Sequence, residues 1–82
     1  MISYIGHFSD IASKCEIWVA GKVVVSVNRM DGTEIPDIES LRGSLFVGKM
    51  SGYGPTTAGV IYKHNSGEYR LLLGCMNLPA EN

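Results

Sequence analysis

The sequence has few cysteines, few prolines and no long hydrophobic run. Two cysteines, Cys15 and Cys75, are too few for a disulfide framework, and their spacing from His7 and His64 does not match a zinc site. No apolar stretch approaches the length needed to span a membrane, and the N-terminus lacks the basic and apolar regions of a signal peptide. We therefore expect a cytoplasmic protein without membrane association, in which both cysteines are buried, reduced thiols.

The chain also has no excess of charge of either sign. Seven Lys and Arg residues against eight Asp and Glu residues give a net charge of -1 and a pI near 6.0. The basic residues are spread along the chain, whereas proteins dedicated to nucleic acid usually concentrate positive charge to neutralise phosphates. The composition therefore argues against nucleic acid as a partner.

Catalytic and cofactor-binding motifs are absent as well. Ser44 follows Gly43, but its surroundings do not form a nucleophile elbow. Gly52 and Gly54 lack the lysine and the strand-to-helix setting of a phosphate-binding loop. The sequence thus predicts a protein that is not an enzyme and that holds no cofactor and no metal.

What the sequence does have is a strong β-hairpin pattern over residues 15–27. Two runs rich in β-branched residues are broken at Ala20 and Gly21. A three-residue loop, with Gly21 at positive φ, would bring the odd-numbered residues of both strands onto one face. We therefore predict a buried face made of Cys15, Ile17, Val19, Val23, Val25 and Val27.

A second hairpin is indicated by residues 60–64 and 68–73. The loop Asn65-Ser66-Gly67 suits a type I turn followed by a glycine bulge. This register pairs Ile61 with Leu71, and it places Leu73 on the same inner face. Shorter strands are expected at residues 2–8 and 45–50, where Gly48 suggests a bulge or a close backbone approach.

One short helix is expected near residues 36–42. Pro36 and Asp37 stand at its start, Arg42 late and Gly43 just after, and Ile38 would pack inward together with Leu41. The pattern predicts a mainly β fold in one domain, residues 1–82: a small antiparallel sandwich or barrel of five to six short strands. The alternative is an α+β fold, in which the segment after Asp10 is helical too.

Two aromatic residues are candidates for a contact surface. Trp18 shares the nominally wet face of the first hairpin with Val24, and Tyr53 stands between glycines in the flexible-looking stretch 51–59. Alternatively, Trp18 is a core residue of a sheet covered on both sides, and residues 51–59 simply connect two strands.

An acidic stretch between two arginines could add to this surface. Carboxylates at the rim of an interface speed association with a basic partner, although they are equally typical of an ordinary solvated face. The full set of candidate partner-binding residues is Trp18, Val24, Tyr53, Asp31, Glu34, Asp37 and Glu39.

These features predict a small protein-binding module that acts by covering the surface of a partner protein. No stretch matches the motif of a known family. A compact, nearly neutral chain of this kind is typical of accessory proteins encoded by phages or mobile elements, including inhibitors of host defence such as anti-CRISPR proteins. The alternatives are a structural homo-oligomer, or a β-barrel that binds nucleic acid or a small ligand weakly.

Overall fold

The computed structural model describes residues 1–33, 37–51 and 54–74. In these ranges, six antiparallel strands close into a barrel in the order β1-β2-β3-β6-β5-β4. The strands are β1 (Ile2–Phe8), β2 (Cys15–Ala20), β3 (Val23–Arg29), β4 (Leu45–Met50), β5 (Thr57–Lys63) and β6 (Tyr69–Gly74), and a 3₁₀ turn (Ile38–Leu41) precedes β4.

The mainly β prediction is confirmed, and of its two forms the barrel is the one observed. The expected helix is a single 3₁₀ turn, started by Asp37, whose carboxylate accepts a hydrogen bond from the backbone N–H of Ser40 at 3.0 Å. The α+β alternative is wrong, because residues 9–14 contain no helix.

The first hairpin has a register that differs from the prediction. Ala20 pairs with Val23, so the loop has two residues, and Gly21 takes the positive φ expected of it. A β-bulge then adds one residue to β3: Val19 faces Val24, whereas Trp18 faces Ser26.

Val25, the extra residue of this bulge, lies outside the core. Val24 is buried at 6% exposure and Val25 is 49% exposed, so the prediction that Val25 lies on the inner face is wrong. Beyond the bulge, odd residues again pair with odd residues, as Ile17 does with Val27. The extra residue thus restores the odd-with-odd pairing that a three-residue loop would have produced, but only beyond the pair Val19–Val24.

The second hairpin has the predicted register. Ile61 pairs with Leu71, and Gly67 has a positive φ and donates its N–H to the carbonyl of His64 at 2.8 Å. Leu71 is buried as expected, but Leu73 is 37% exposed because it lies near the end of the barrel.

The two ends of the barrel differ in the chain that covers them. Residues 9–14, the 3₁₀ turn and the Asn65–Gly67 loop lie at one end, which we call the capped end. There Leu41 is buried and Ile38 packs against the core, both as predicted. The Gly21–Lys22 loop lies at the other end, which we call the Gly21 end, and there β4 ends and β5 begins.

The interior is filled mainly from the capped end. The Phe8 and Phe46 rings pack with their centroids 5.0 Å apart, at an interplanar angle of 54°. Ile17 and Ile61 are completely or almost completely buried beside them. The barrel closes less tightly between β3 and β6. Among the described residues, Val23–Arg70 is the one strand pair there, and the Leu71 N–H donates a hydrogen bond to the Lys22 carbonyl at 3.1 Å beside it.

Candidate functional site

Trp18 lies on the outer wall of the barrel. It pairs with Ser3 on β1 and with Ser26 on β3, and its side chain is half-buried. Ser3 points outward as well, yet it is only 7% exposed. Trp18 is thus neither a core residue nor a fully presented aromatic anchor.

Val24, the expected neighbour of Trp18 on the wet face, lies in the core instead. Its burial follows from the two-residue loop, which pairs Val24 with Val19 and so turns it inward against the same cluster as Val19 and Leu71. A side chain buried in this way offers no surface to a partner, so its predicted position on the outer face is wrong.

The carboxylate of Asp31 is occupied within its own loop. It accepts hydrogen bonds from the Thr33 hydroxyl at 2.7 Å, the Thr33 N–H at 2.9 Å and the Ser13 hydroxyl at 2.7 Å. The hydrogen bonds from Thr33, followed by the one from Ser13, lower the pKa of Asp31 from 3.8 to about 2. Asp31 therefore joins the loop after β3 to the loop before β2.

Asp37 and Glu39 have internal partners too. Asp37 caps the 3₁₀ turn, and Glu39 accepts hydrogen bonds from the Tyr69 hydroxyl and from Arg42, which also pairs with it ionically at 3.1 Å. The hydrogen bond from Tyr69, followed by the one from Arg42, lowers the pKa of Glu39. The same bond to Glu39 raises the pKa of Tyr69. These contacts match the solvated-face alternative for the acidic stretch.

The predicted contact residues do not form one surface among the described residues. Asp31, Asp37 and Glu39 belong to the capped end, whereas Trp18 lies on the barrel wall toward the Gly21 end. Tyr53 and Glu34, the other two candidates, lie outside the described residues.

Ser44 and Cys15 are both buried. The Ser44 hydroxyl is buried beside Asp10 and Ser9, at 3.2 and 3.3 Å. Cys15 is a free thiol with no exposure, and burial raises its pKa, although Arg29 partly opposes this. Within the described ranges, no three His, Cys, Asp or Glu side chains are grouped to hold a metal ion.

A different surface stands out on the outer wall of β4, β5 and β6. Leu45 faces Val60, and Val60 faces Leu72, so one aliphatic row crosses three strands; Val47 lies outward beside it. Leu72 is 58% exposed and Leu45 47% exposed. We call Leu45, Val47, Val60 and Leu72 the apolar outer face.

Small residues make this face concave. Ala58, Gly59 and Gly74 lie between the larger side chains and leave a shallow depression of about 390 Å³, which Leu73 also lines. None of the described residues that line it carries a charge. Polar residues lie around it. On one side His7 faces Val47. On the other side, beyond Val60, Tyr62 faces Arg70, which forms an ion pair with Glu68.

Sequence reasoning missed this face although the signal was present. In β6 three leucines follow one another, and in β5 Val60 directly precedes Ile61. Since successive strand residues point to opposite faces, such runs must place aliphatic side chains on both sides of the sheet. An outer apolar surface on β5 and β6 could have been predicted from that pattern.

No known family model, curated protein or solved structure matches this chain. In the part of the chain that the structure describes, no helix has the length and hydrophobicity required to cross a lipid bilayer.

Proposed function

We propose that this chain is a small, non-enzymatic protein-binding module whose contact surface is the apolar outer face. The observation that carries the proposal is the uninterrupted row from Leu45 through Val60 to Leu72, exposed at both ends and bordered by polar residues. An apolar centre with a polar rim is the usual organisation of a protein–protein interface, and contiguous exposed apolar residues often mark one.

The size of the face favours a different protein as partner over a second copy. Three strands spaced about 4.8 Å apart span only about 10 Å, whereas a stable interface buries about 800 Å² on each side. The apolar outer face can therefore be only the centre of a larger contact. That contact must include the rim around His7, Lys49 and Arg70, and a complementary partner satisfies such a rim better than an identical one.

The test is partner capture with one charge placed in the centre of the face. Leu72→Asp would put a carboxylate into the desolvated part of the contact, and it should abolish capture of a specific partner from a lysate of the source cells. The proteins retained by immobilised wild type and variant are identified by mass spectrometry. Equal capture by both would show that the apolar outer face is not the contact surface.

Val25→Asp is the matched control, because Val25 is also an exposed aliphatic residue of a strand, but it lies on β3, outside the apolar outer face. It should capture the same partner as wild type. Sedimentation equilibrium distinguishes this proposal from the homo-oligomer alternative. We expect a monomer. A dimer that dissociates in Leu72→Asp would show instead that the apolar outer face joins two copies of this chain. The narrower expectation of a phage-encoded inhibitor stays a prediction, and the identity of the captured partner tests it.

A further inference from the structure

A cavity lies at the Gly21 end of the barrel, between inward residues such as Tyr4 and Val19 and outward residues such as Tyr62 and Leu72. It has a volume of about 240 Å³ and is partly enclosed, next to the weakly closed junction of β3 and β6. Its lining residues are Tyr4, Val19, Gly21, Lys22, Tyr62, Leu71, Leu72 and Leu73. The mouth of a barrel is a common place for a small-molecule site.

The chemistry of the lining divides the cavity into an apolar part and a positive part. Val19 and Leu71 belong to the core cluster and form an apolar wall together with Leu73. Lys22 stands in the exposed two-residue loop and, among the lining residues that the structure describes, is the one charged at neutral pH. No carboxylate stands among the described residues that line the cavity, so none of them gives the Lys22 ammonium a negative partner.

The tyrosines add hydroxyl groups that can hydrogen-bond to a ligand. Tyr4 lies on the inner face of β1, opposite Ile17, and Tyr62 on β5 faces Arg70 on β6. Since Arg70 is paired with Glu68, it adds little net charge near the cavity. Lys22 therefore decides which charge a ligand should carry.

We propose that this cavity binds small amphipathic carboxylates, with the apolar body against Val19 and Leu71 and the carboxylate at Lys22. A cavity of about 150 Å³ accommodates benzene, so 240 Å³ has room for an aromatic ring with a short acidic arm. The site is distinct from the apolar outer face, although Leu72 and Leu73 border both, and it does not depend on the proposed partner.

The experiment compares two probes of equal shape and opposite charge, 4-phenylbutyrate and 4-phenylbutylamine. Each is titrated into the full chain labelled with nitrogen-15, and amide resonances are followed by NMR. We expect saturable shifts at Val19, Lys22 and Leu71, with the carboxylate bound about tenfold more tightly than the amine, as attraction replaces repulsion at an exposed charge. Absence of saturable shifts, or shifts confined to Leu45 and Val60, would overturn the proposal.

Lys22→Glu tests the role of the charge. Lys22 is exposed and contributes its backbone carbonyl to the hydrogen bond with Leu71, so the substitution leaves that bond in place. It should reverse the preference, so that the amine binds more tightly than the carboxylate. Lys14→Glu, in the exposed segment before β2 at the capped end, makes the same change in net charge and should keep the original preference. An unchanged preference in Lys22→Glu would show that the cavity does not select carboxylates.

Discussion

Gly6 and Gly48 face each other across β1 and β4, so closely that neither could carry a side chain. A Cβ built on Gly48 would lie 2.7 Å from the Cα of Gly6 and 2.7 Å from the Cζ of Phe46. Because both glycines point into the barrel, this close approach brings β1 against β4 and lets the Phe46 ring fill the space beside it. The close approach predicted for Gly48 is confirmed, and its partner is a second glycine.

Gly48→Ala should therefore destabilise the protein by about 3 kcal/mol, at the upper end of the usual cost of overpacking, since part of the clash is with backbone. Gly74→Ala is the matched control, because a Cβ there would meet its nearest atom, the Ala58 carbonyl oxygen, at 3.8 Å. Urea denaturation followed by circular dichroism measures both. Equal unfolding midpoints for the two variants would contradict the account of the β1–β4 contact.

The bulge in β3 predicts opposite outcomes for two adjacent valines. Val24→Asp would bury a carboxylate in the core and cost several kcal/mol, enough to unfold a domain with about 5 kcal/mol of stability. Val25→Asp, at an exposed position, should change the melting temperature little. Thermal melts of the two variants decide the register. If Val25→Asp unfolded the protein while Val24→Asp did not, the bulge would be misplaced.

The hydrogen bonds to Asp31 make stability depend on pH. Because folding lowers the pKa of Asp31 from 3.8 to about 2, the stabilisation is fully present above about pH 4 and is lost as the pH falls toward 2. Thr33→Val removes the hydroxyl that donates to Asp31 and should raise the pKa of Asp31, as measured by NMR titration of the carboxyl carbon.

Asp31→Asn should correspondingly flatten the loss of stability between pH 4 and pH 2. Acid unfolding curves of wild type and variant provide the comparison. A variant curve parallel to that of wild type through this range would show that the loop contacts of Asp31 do not stabilise the fold.

The Cys15 thiol should be unreactive in the native protein. It has no exposure, its Sγ donates a hydrogen bond to the Ser13 carbonyl at 3.5 Å, and burial raises its pKa, so very little thiolate is present at neutral pH. Alkylation by iodoacetamide, mapped by mass spectrometry, should modify Cys15 only after denaturation. Rapid modification under native conditions would place Cys15 outside the core.

Local patterns in the sequence were sufficient for several elements of the fold. The register of the β5–β6 hairpin followed from alternation and from the turn at Gly67, both of which operate within a few residues. The short turn after Asp37 could be predicted for the same reason, since its capping bond and its inward residues Ile38 and Leu41 are close in sequence.

The candidate site was predicted less well, because it depends on which side of each strand is covered. Trp18 was correctly placed on the outer side of β2, but the same argument placed Val24 beside it and Val25 in the core. One inserted residue reverses the direction of the side chains near it, and no local signal in a run of three valines shows where the insertion falls.

The sequence by itself thus determined that the chain forms β-hairpins, where they turn, and that β5 and β6 carry aliphatic residues on both faces. Tertiary structure alone decided that the hairpins close into a barrel, that Val25 is the bulged residue, and which aliphatic side chains remain outside. The physical reason is that closure pairs β1 with β4, about 40 residues apart, through the contact of Gly6 with Gly48. Local propensity does not encode such long-range contacts, and these contacts place Leu72 on the surface and leave the cavity beside Lys22.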